Sequence, residues 1–265
     1  MHFNVSRVQR FARRIPKGLA HVWSALARRL RKGPADDINS YDRRVYSQNG
    51  EDGIIAEIFA RVPPTRHYFA EFGAQDGMEC NAANLARRRG WSGFMIEADP
   101  QTAQRLARNY RLLPVHTVQA FVDRDNIAGL FQASGVPQDL DLLSIDIDGN
   151  DYWVWEALAI YRASLVVIEY NPTYPPPVRW IMSYNAEHRW DGTTYQGASL
   201  SSLAALAERL GYSLLGTDRN GVNAFFLRND LVASAGFRIK TPEEAYHFQR
   251  VFPKTPFGYG PFVEA

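Results

Sequence analysis

The chain has 265 residues, 46% of them hydrophobic and 13% aromatic, which supplies the core of one large α/β domain and excludes disorder as a whole-chain description. Its single cysteine, Cys80, cannot close an internal disulfide, no Cys/His cluster has zinc spacing, and no apolar run approaches the length of a membrane span. The net charge of +2 hides an uneven placement: residues 1–33 hold nine Lys/Arg and no Asp/Glu, leaving 21 basic against 28 acidic residues beyond them. An acidic body is a poor match for duplex nucleic acid, whose affinity comes mainly from phosphate neutralisation. A reducing, cytoplasmic location fits.

The first predicted element is a basic amphipathic arm over residues 1–35. At 100° per residue, Val5, Val8, Phe11, Ile15, Leu19, Val22, Leu26 and Leu30 share one face, with the arginines opposite and Pro16 as a kink. Such a helix suits an anionic membrane surface, here the inner face, through residues 5–30. The competing reading packs the stripe on the body or on a second copy of the chain. Gly33-Pro34 marks the boundary.

Residues 36–265 read as the second domain. Ser47-Gln48-Asn49-Gly50-Glu51-Asp52 opens a helix that ends at Pro63-Pro64. Apolar runs at 67–72, 93–98, 115–122, 140–147 and 165–170 then alternate with helical stretches at 81–89, 101–111, 126–133 and 152–161. That rhythm predicts βαβ units and a parallel sheet covered on both faces. After Tyr170 the pattern changes. An aromatic, Pro-rich segment at 171–197 precedes a helix at 200–210 and two runs, 212–217 and 223–228, joined as a hairpin.

Ligands of open α/β sheets bind at the carboxyl ends of the strands. The first strand ends Glu71-Phe72-Gly73-Ala74-Gln75-Asp76-Gly77: glycines for close backbone approach, acceptors and no positive charge. This is wrong for a phosphate cradle, since neither the Gly-Lys-Ser/Thr loop nor G-x-G-x-x-G is present. It suits a cationic, phosphate-free ligand such as S-adenosylmethionine (SAM). The second strand ends Glu97-Ala98-Asp99, where a carboxylate can accept both ribose hydroxyls. The cofactor set is therefore Glu71, Gly73, Gln75, Asp76, Gly77, Glu97, Ala98 and Asp99, against the bland reading of a plain turn and a helix cap.

These residues bring a family into view. Tyr46–Asp52, Glu71–Gly77, Ile96-Glu97-Ala98-Asp99-Pro100, Ile145-Asp146-Ile147-Asp148-Gly149, and Gly211-Tyr212 leading to Asn223-Ala224-Phe225-Phe226 resemble the class I SAM-dependent methyltransferases, particularly the FkbM type. The resemblance covers residues 46–230, although position 148 is Asp where many relatives carry Glu, and the surroundings of Ser144 lack the Lys that relatives often have. It implies a Rossmann-like seven-stranded, mostly parallel sheet in the order 3-2-1-4-5-7-6 with helices on both faces. It also implies methylation of hydroxyls on sugars or natural products.

On strand four, Asp146 and Asp148 fall on one strand face and can converge on one cation. Strand five ends Glu169-Tyr170-Asn171, so Asp146, Asp148, Glu169 and Asn171 form an oxygen-only set suited to Mg²⁺ or Mn²⁺. Catechol-type methyltransferases are similar in placing metal ligands at these two strand ends. The blander account has Asp146 capping the loop and touching the SAM ammonium. The segment at 171–197 predicts a lid or substrate wall, with Trp180, Tyr184, Trp190 and Tyr195 available to stack on an acceptor. Asp146 and His188 are the candidate catalytic groups. The leading reading is a SAM-dependent O-methyltransferase acting on a sugar, glycolipid or natural-product hydroxyl, with metal assistance. The alternatives are a glycosyltransferase using Asp146-Ile147-Asp148 as a D-x-D motif and a non-catalytic SAM-binding scaffold.

Overall fold

A computed structural model describes residues 37–248 and 255–264. The predicted arm, with its apolar stripe from Val5 to Leu30, lies outside the described residues.

The elements follow in chain order: α1 (Glu51–Arg61), β1 (Tyr68–Phe72), α2 (Ala83–Arg89), β2 (Ser92–Glu97), α3 (Pro100–Tyr110), β3 (Val115–Gln119), α4 (Ile127–Ala133), β4 (Leu142–Ile145), α5 (Asp151–Ala157) and β5 (Leu165–Glu169). Then come β6 (Ile181–Met182), α6 (Leu200–Leu210), β7 (Tyr212–Thr217), β8 (Asn223–Arg228), α7 (Asn229–Ala235), α8 (Pro242–Ala245) and β9 (Phe262–Val263). Local chemistry fixes several ends. Asp99 caps α3 by accepting the Thr102 amide at 2.8 Å and Pro100 opens its first turn. Ser199 caps α6, and Gly211, left-handed at φ +83°, ends it.

The large sheet runs β3-β2-β1-β4-β5-β8-β7. With its seven strands counted in chain order this is the expected 3-2-1-4-5-7-6, and the fold is Rossmann-like. The first five strands pair in parallel; β8 joins β5 and β7 antiparallel. Alternate residues feed two cores. Phe69, Met95, Leu142 and Val167 pack with Ile54 and Ile58 of α1, Leu85 of α2 and Leu106 of α3. Phe72, Ile96, Ile145 and Ile168 pack with Phe131 of α4, Trp155 of α5 and Leu203 of α6. Strands β1, β2, β4 and β5, largely buried on both faces, read as mostly apolar runs, which is why the sequence pattern located them.

Two features depart from the sequence reading. Strand β4 stops at Ile145, so Asp146 and Asp148 leave it on a loop rather than sharing a strand face, and Asp148 is left-handed at φ +53°. A second, two-stranded sheet pairs β6 with β9 antiparallel. Strands of two residues carry too little periodicity to be seen in sequence.

Candidate active site

A cleft of about 380 Å³ opens along the carboxyl ends of β1, β2, β4 and β5, beneath the aromatic segment. Glu71, Gly73, Gln75, Glu97, Ala98, Asp146, Asp148, Glu169, Asn171 and His188 all line it, so most of the predicted site residues are brought together.

On β1, Glu71 is buried, and its carboxylate accepts the amides of Asn81 at 2.8 Å and Ala82 at 3.0 Å and the Ser144 hydroxyl at 3.2 Å. Burial still pushes its pKa above the ordinary value against those bonds. Gln75 follows at φ +49°, and its amide donates to Glu97 Oε2 at 2.8 Å. The other Glu97 oxygen accepts the Asp99 amide at 2.9 Å. One carboxylate therefore ties the β1 turn to the β2 turn at the cleft edge. Beyond it, Ile96, Ala98, Ala120, Phe121 and Val122 form an apolar wall.

The β4–α5 loop and the end of β5 bring carboxylate oxygens of Asp146, Asp148 and Glu169 within 4.8 Å of one another. Burial and the neighbouring like charges raise the pKa of Asp146 and Glu169 well above the ordinary range. Desolvation, then the charges of Asp151 and Glu97, push Asp148 up to about 6. Three crowded hard-oxygen donors, with no Lys or Arg among the described residues of the cleft lining, are chemically suited to a divalent ion.

Several expected roles change. Asp76 and Gly77 lie outside the cleft lining: Asp76 Oδ1 accepts the Met78 amide at 3.0 Å, and a Cβ on Gly77 would meet the Tyr110 ring at 2.2 Å. Gly77 is thus a glycine for packing against α3. Asp99 is the α3 cap and also lies outside the lining. Gly73 lines the cleft at φ +66°, but what a Cβ would strike is the Asp146 carbonyl oxygen at 1.7 Å, so the close approach is internal to the chain. Asn171 lines the same cleft as the three carboxylates. Its amide donates to the carbonyls of Thr194 and Gln196, both at 2.8 Å, and its oxygen accepts the Thr173 amide at 3.0 Å, which leaves it a brace for the segment.

His188 reaches the cleft with Nε2 3.2 Å from the Asp148 carbonyl oxygen. Of the four segment aromatics, Trp190 alone lines the cleft. Trp180 is 4% exposed and stacked between Tyr174, at 4.3 Å between centroids, and Phe262, at 6.2 Å. Tyr184 donates to Asp125 at 2.6 Å, and Tyr195 donates to the Pro261 carbonyl at 2.5 Å.

Sequence reasoning missed Glu51 and Asn223 as site residues. Glu51, at the start of α1, is buried in the lining, where it accepts the Asn49 amide at 2.8 Å and Asn223 Nδ2 at 2.9 Å. Both residues sit inside motifs that the sequence singled out. Their place in the cleft follows from α1 standing beside β8, a tertiary fact no local pattern carries.

No family model matches the chain, and no curated protein does. Among solved structures, the chain is similar to the N-terminal domain of EvdMO1 with SAH bound, at 13% identity over 68% of this chain and 80% of that one, with a TM-score of 0.41. It is similar to magnesium protoporphyrin IX methyltransferase (ChlM) from Synechocystis PCC 6803 with bound SAH, at 12% identity over 77% and 94%, TM-score 0.44. An S-adenosylmethionine-dependent methyltransferase from Clostridium acetobutylicum ATCC 824 aligns at 10% identity over 80% and 98%, TM-score 0.43.

Proposed function

We propose that the chain is a SAM-dependent O-methyltransferase acting on a hydroxyl of a sugar, glycolipid or natural-product acceptor, with Mg²⁺ or Mn²⁺ held by Asp146, Asp148 and Glu169. The observation that carries this reading is the charge of the cleft. Seven carboxylates line it (Glu51, Glu71, Glu79, Glu97, Asp146, Asp148 and Glu169), and among the described residues no Lys or Arg does. Such a lining attracts a cationic ligand and repels a phosphate.

The residues fit SAM in more than charge. Each Glu97 oxygen accepts one backbone amide and keeps a lone pair for a ribose hydroxyl, while the apolar wall from Ile96 to Val122 suits an adenine. When bound, SAM supplies a methyl group activated by its sulfonium. The chain's own part is to orient the acceptor oxygen and take its proton. In the metal-free cleft, crowding and burial raise the proton affinity of the cluster, so a carboxylate there takes the proton; with a cation held by the three, that raised affinity is lost. The cation supplies acidification of the acceptor hydroxyl instead. The segment at 171–197 excludes water, and Trp190 offers the acceptor a ring whose Nε1 is fixed on the Thr193 carbonyl at 2.8 Å.

Calorimetry tests the reading: SAM is expected to bind the full chain and UDP-sugars are not. Tighter binding of a UDP-sugar in Mn²⁺ would overturn it in favour of glycosyl transfer. The pattern of residues 5–30 supports a further proposal, that the arm holds the protein on an anionic membrane surface of the cytoplasm. Among the described residues no helix is long and apolar enough to cross a membrane.

A further inference from the structure

The loop that carries Asp146 and Asp148 is held by two side chains from outside it. Asp148 sits at φ +53°, a left-handed region uncommon for residues with a Cβ and tolerated best by Asn and Asp. Asp151 holds the loop in it from α5. Its Oδ1 accepts the Ile147 amide at 2.9 Å and its Oδ2 accepts the Gly149 amide at 2.9 Å, so one fully buried carboxylate binds the amides of the two residues that flank Asp148. His188 acts from the aromatic segment. Its Nε2 lies 3.2 Å from the Asp148 carbonyl, and since a carbonyl only accepts, that nitrogen carries the hydrogen. The imidazole also fills the space beside Gly149, where a Cβ would lie 2.4 Å from His188 Cδ2. Asn150 Nδ2 adds a second bond to the segment, to the Asn185 carbonyl at 2.9 Å.

We infer that Asp151 and His188 are positioning residues for Asp148, and that through His188 the seating of the aromatic segment is coupled to cation binding at Asp146, Asp148 and Glu169. The inference rests on the cation reading proposed above. The loop conformation that turns Asp148 toward two other carboxylates is opposed by their mutual repulsion. A cation removes that opposition and so favours the same backbone conformation that offers His188 its carbonyl. Linkage is reciprocal: the factor by which the ion favours a seated segment equals the factor by which the seated segment tightens the ion.

The test uses the full chain, Mn²⁺ affinity by calorimetry, and trypsin cleavage after Arg179 and Arg189, both within the segment. Mn²⁺ is expected to slow that cleavage several-fold in the wild type. His188→Ala is expected to abolish the protection and weaken Mn²⁺ by the same factor, while His188→Gln, which keeps an amide donor, restores part of both. Asp151→Asn retains shape and one acceptor, and is expected to weaken Mn²⁺ about ten-fold, as loss of a partner behind a metal ligand does. Undiminished Mn²⁺ protection in His188→Ala, or wild-type Mn²⁺ affinity in a folded Asp151→Asn, overturns the inference. If the wild type binds no Mn²⁺, the cation reading itself falls. The clamp is then judged without metal: faster segment cleavage in His188→Ala upholds it, and an unchanged rate overturns it.

Discussion

Gly73 faces the carbonyl of Asp146 so closely that a Cβ on it would lie 1.7 Å from that oxygen. The β1 turn and the β4 loop thus touch backbone to backbone where both line the cleft. The glycine is required twice, by the contact and by φ +66°.

Gly73→Ala is therefore expected to act first on stability. A positive-φ alanine with a backbone clash should cost about 2 kcal/mol or more, lowering the Tm by at least several degrees in a domain of this size. Thermal unfolding checks it. A variant that melts with the wild type yet no longer binds SAM would instead place the steric demand on the ligand.

Glu97 offers the cleaner probe of the cofactor end. Glu97→Gln keeps the shape and one acceptor oxygen but removes the charge, and SAM affinity is expected to fall about ten-fold or more, as loss of charged hydrogen bonds worth about 1.5–3 kcal/mol implies. Calorimetric affinity equal to the wild type would move the ribose elsewhere. Both turns should stay folded, because the Gln75 and Asp99 amides are near solvent.

What could be read ahead of the structure follows a physical line. Strands β1, β2, β4 and β5 are largely buried on both faces, so their residues are mostly apolar, whereas β3 lies at the sheet edge, half-buried to exposed, and reads Val-His-Thr-Val-Gln; the sheet order follows from how such units stack. Carboxylates at strand ends were legible because strand ends are where α/β folds place ligands. Sequence does not show which acceptor is already satisfied. The Asn171 amide carries the right atoms but both its donors go to carbonyls of the chain, and Asp99 caps α3 outside the cleft lining. The aromatic segment shows the same limit, since Trp180 and Trp190 look alike in sequence and differ only in what packs on them.

That difference is testable. Trp180 is sandwiched between Tyr174 and Phe262, so Trp180→Ala should cost about 3–5 kcal/mol, as removal of a buried aromatic does. Trp190 is 46% exposed at the cleft, and Trp190→Ala should leave the melting curve almost unchanged while raising the KM for the acceptor. Equal destabilisation by both changes would show that Trp190 also belongs to the packing.

The arm makes a separate prediction from its sequence pattern. A peptide of residues 1–33 is expected to gain helicity on anionic vesicles, to lose much of that gain at high salt, and to ignore neutral vesicles. Deleting those residues should release the protein from membranes and leave SAM affinity intact. Aggregation of the truncated protein would assign the stripe to the body or to a second copy.

The carboxylate cluster predicts how stability and metal affinity change with pH. Asp148 is pushed up to about 6, whereas an unfolded Asp titrates near 4, so between those values the folded protein holds more protons than the unfolded one. Stability contributed by this group is then fully present below about pH 4 and is lost as pH rises through about 6. In the metal-free protein, Asp148→Asn should remove that loss. Its Tm should rise relative to the wild type as pH goes from about 4 to 7, most steeply near about 5, midway between the two values. Saturating Mg²⁺ or Mn²⁺ should reverse the order, because the ion replaces the missing protons in the wild type and finds a weaker site in the variant. Cation affinity of the wild type should accordingly increase across the same interval. A Tm difference that stays constant from pH 4 to 7 without metal would mean that Asp148 titrates like a free carboxylate, and that neither its burial nor the charges of Asp151 and Glu97 act on it.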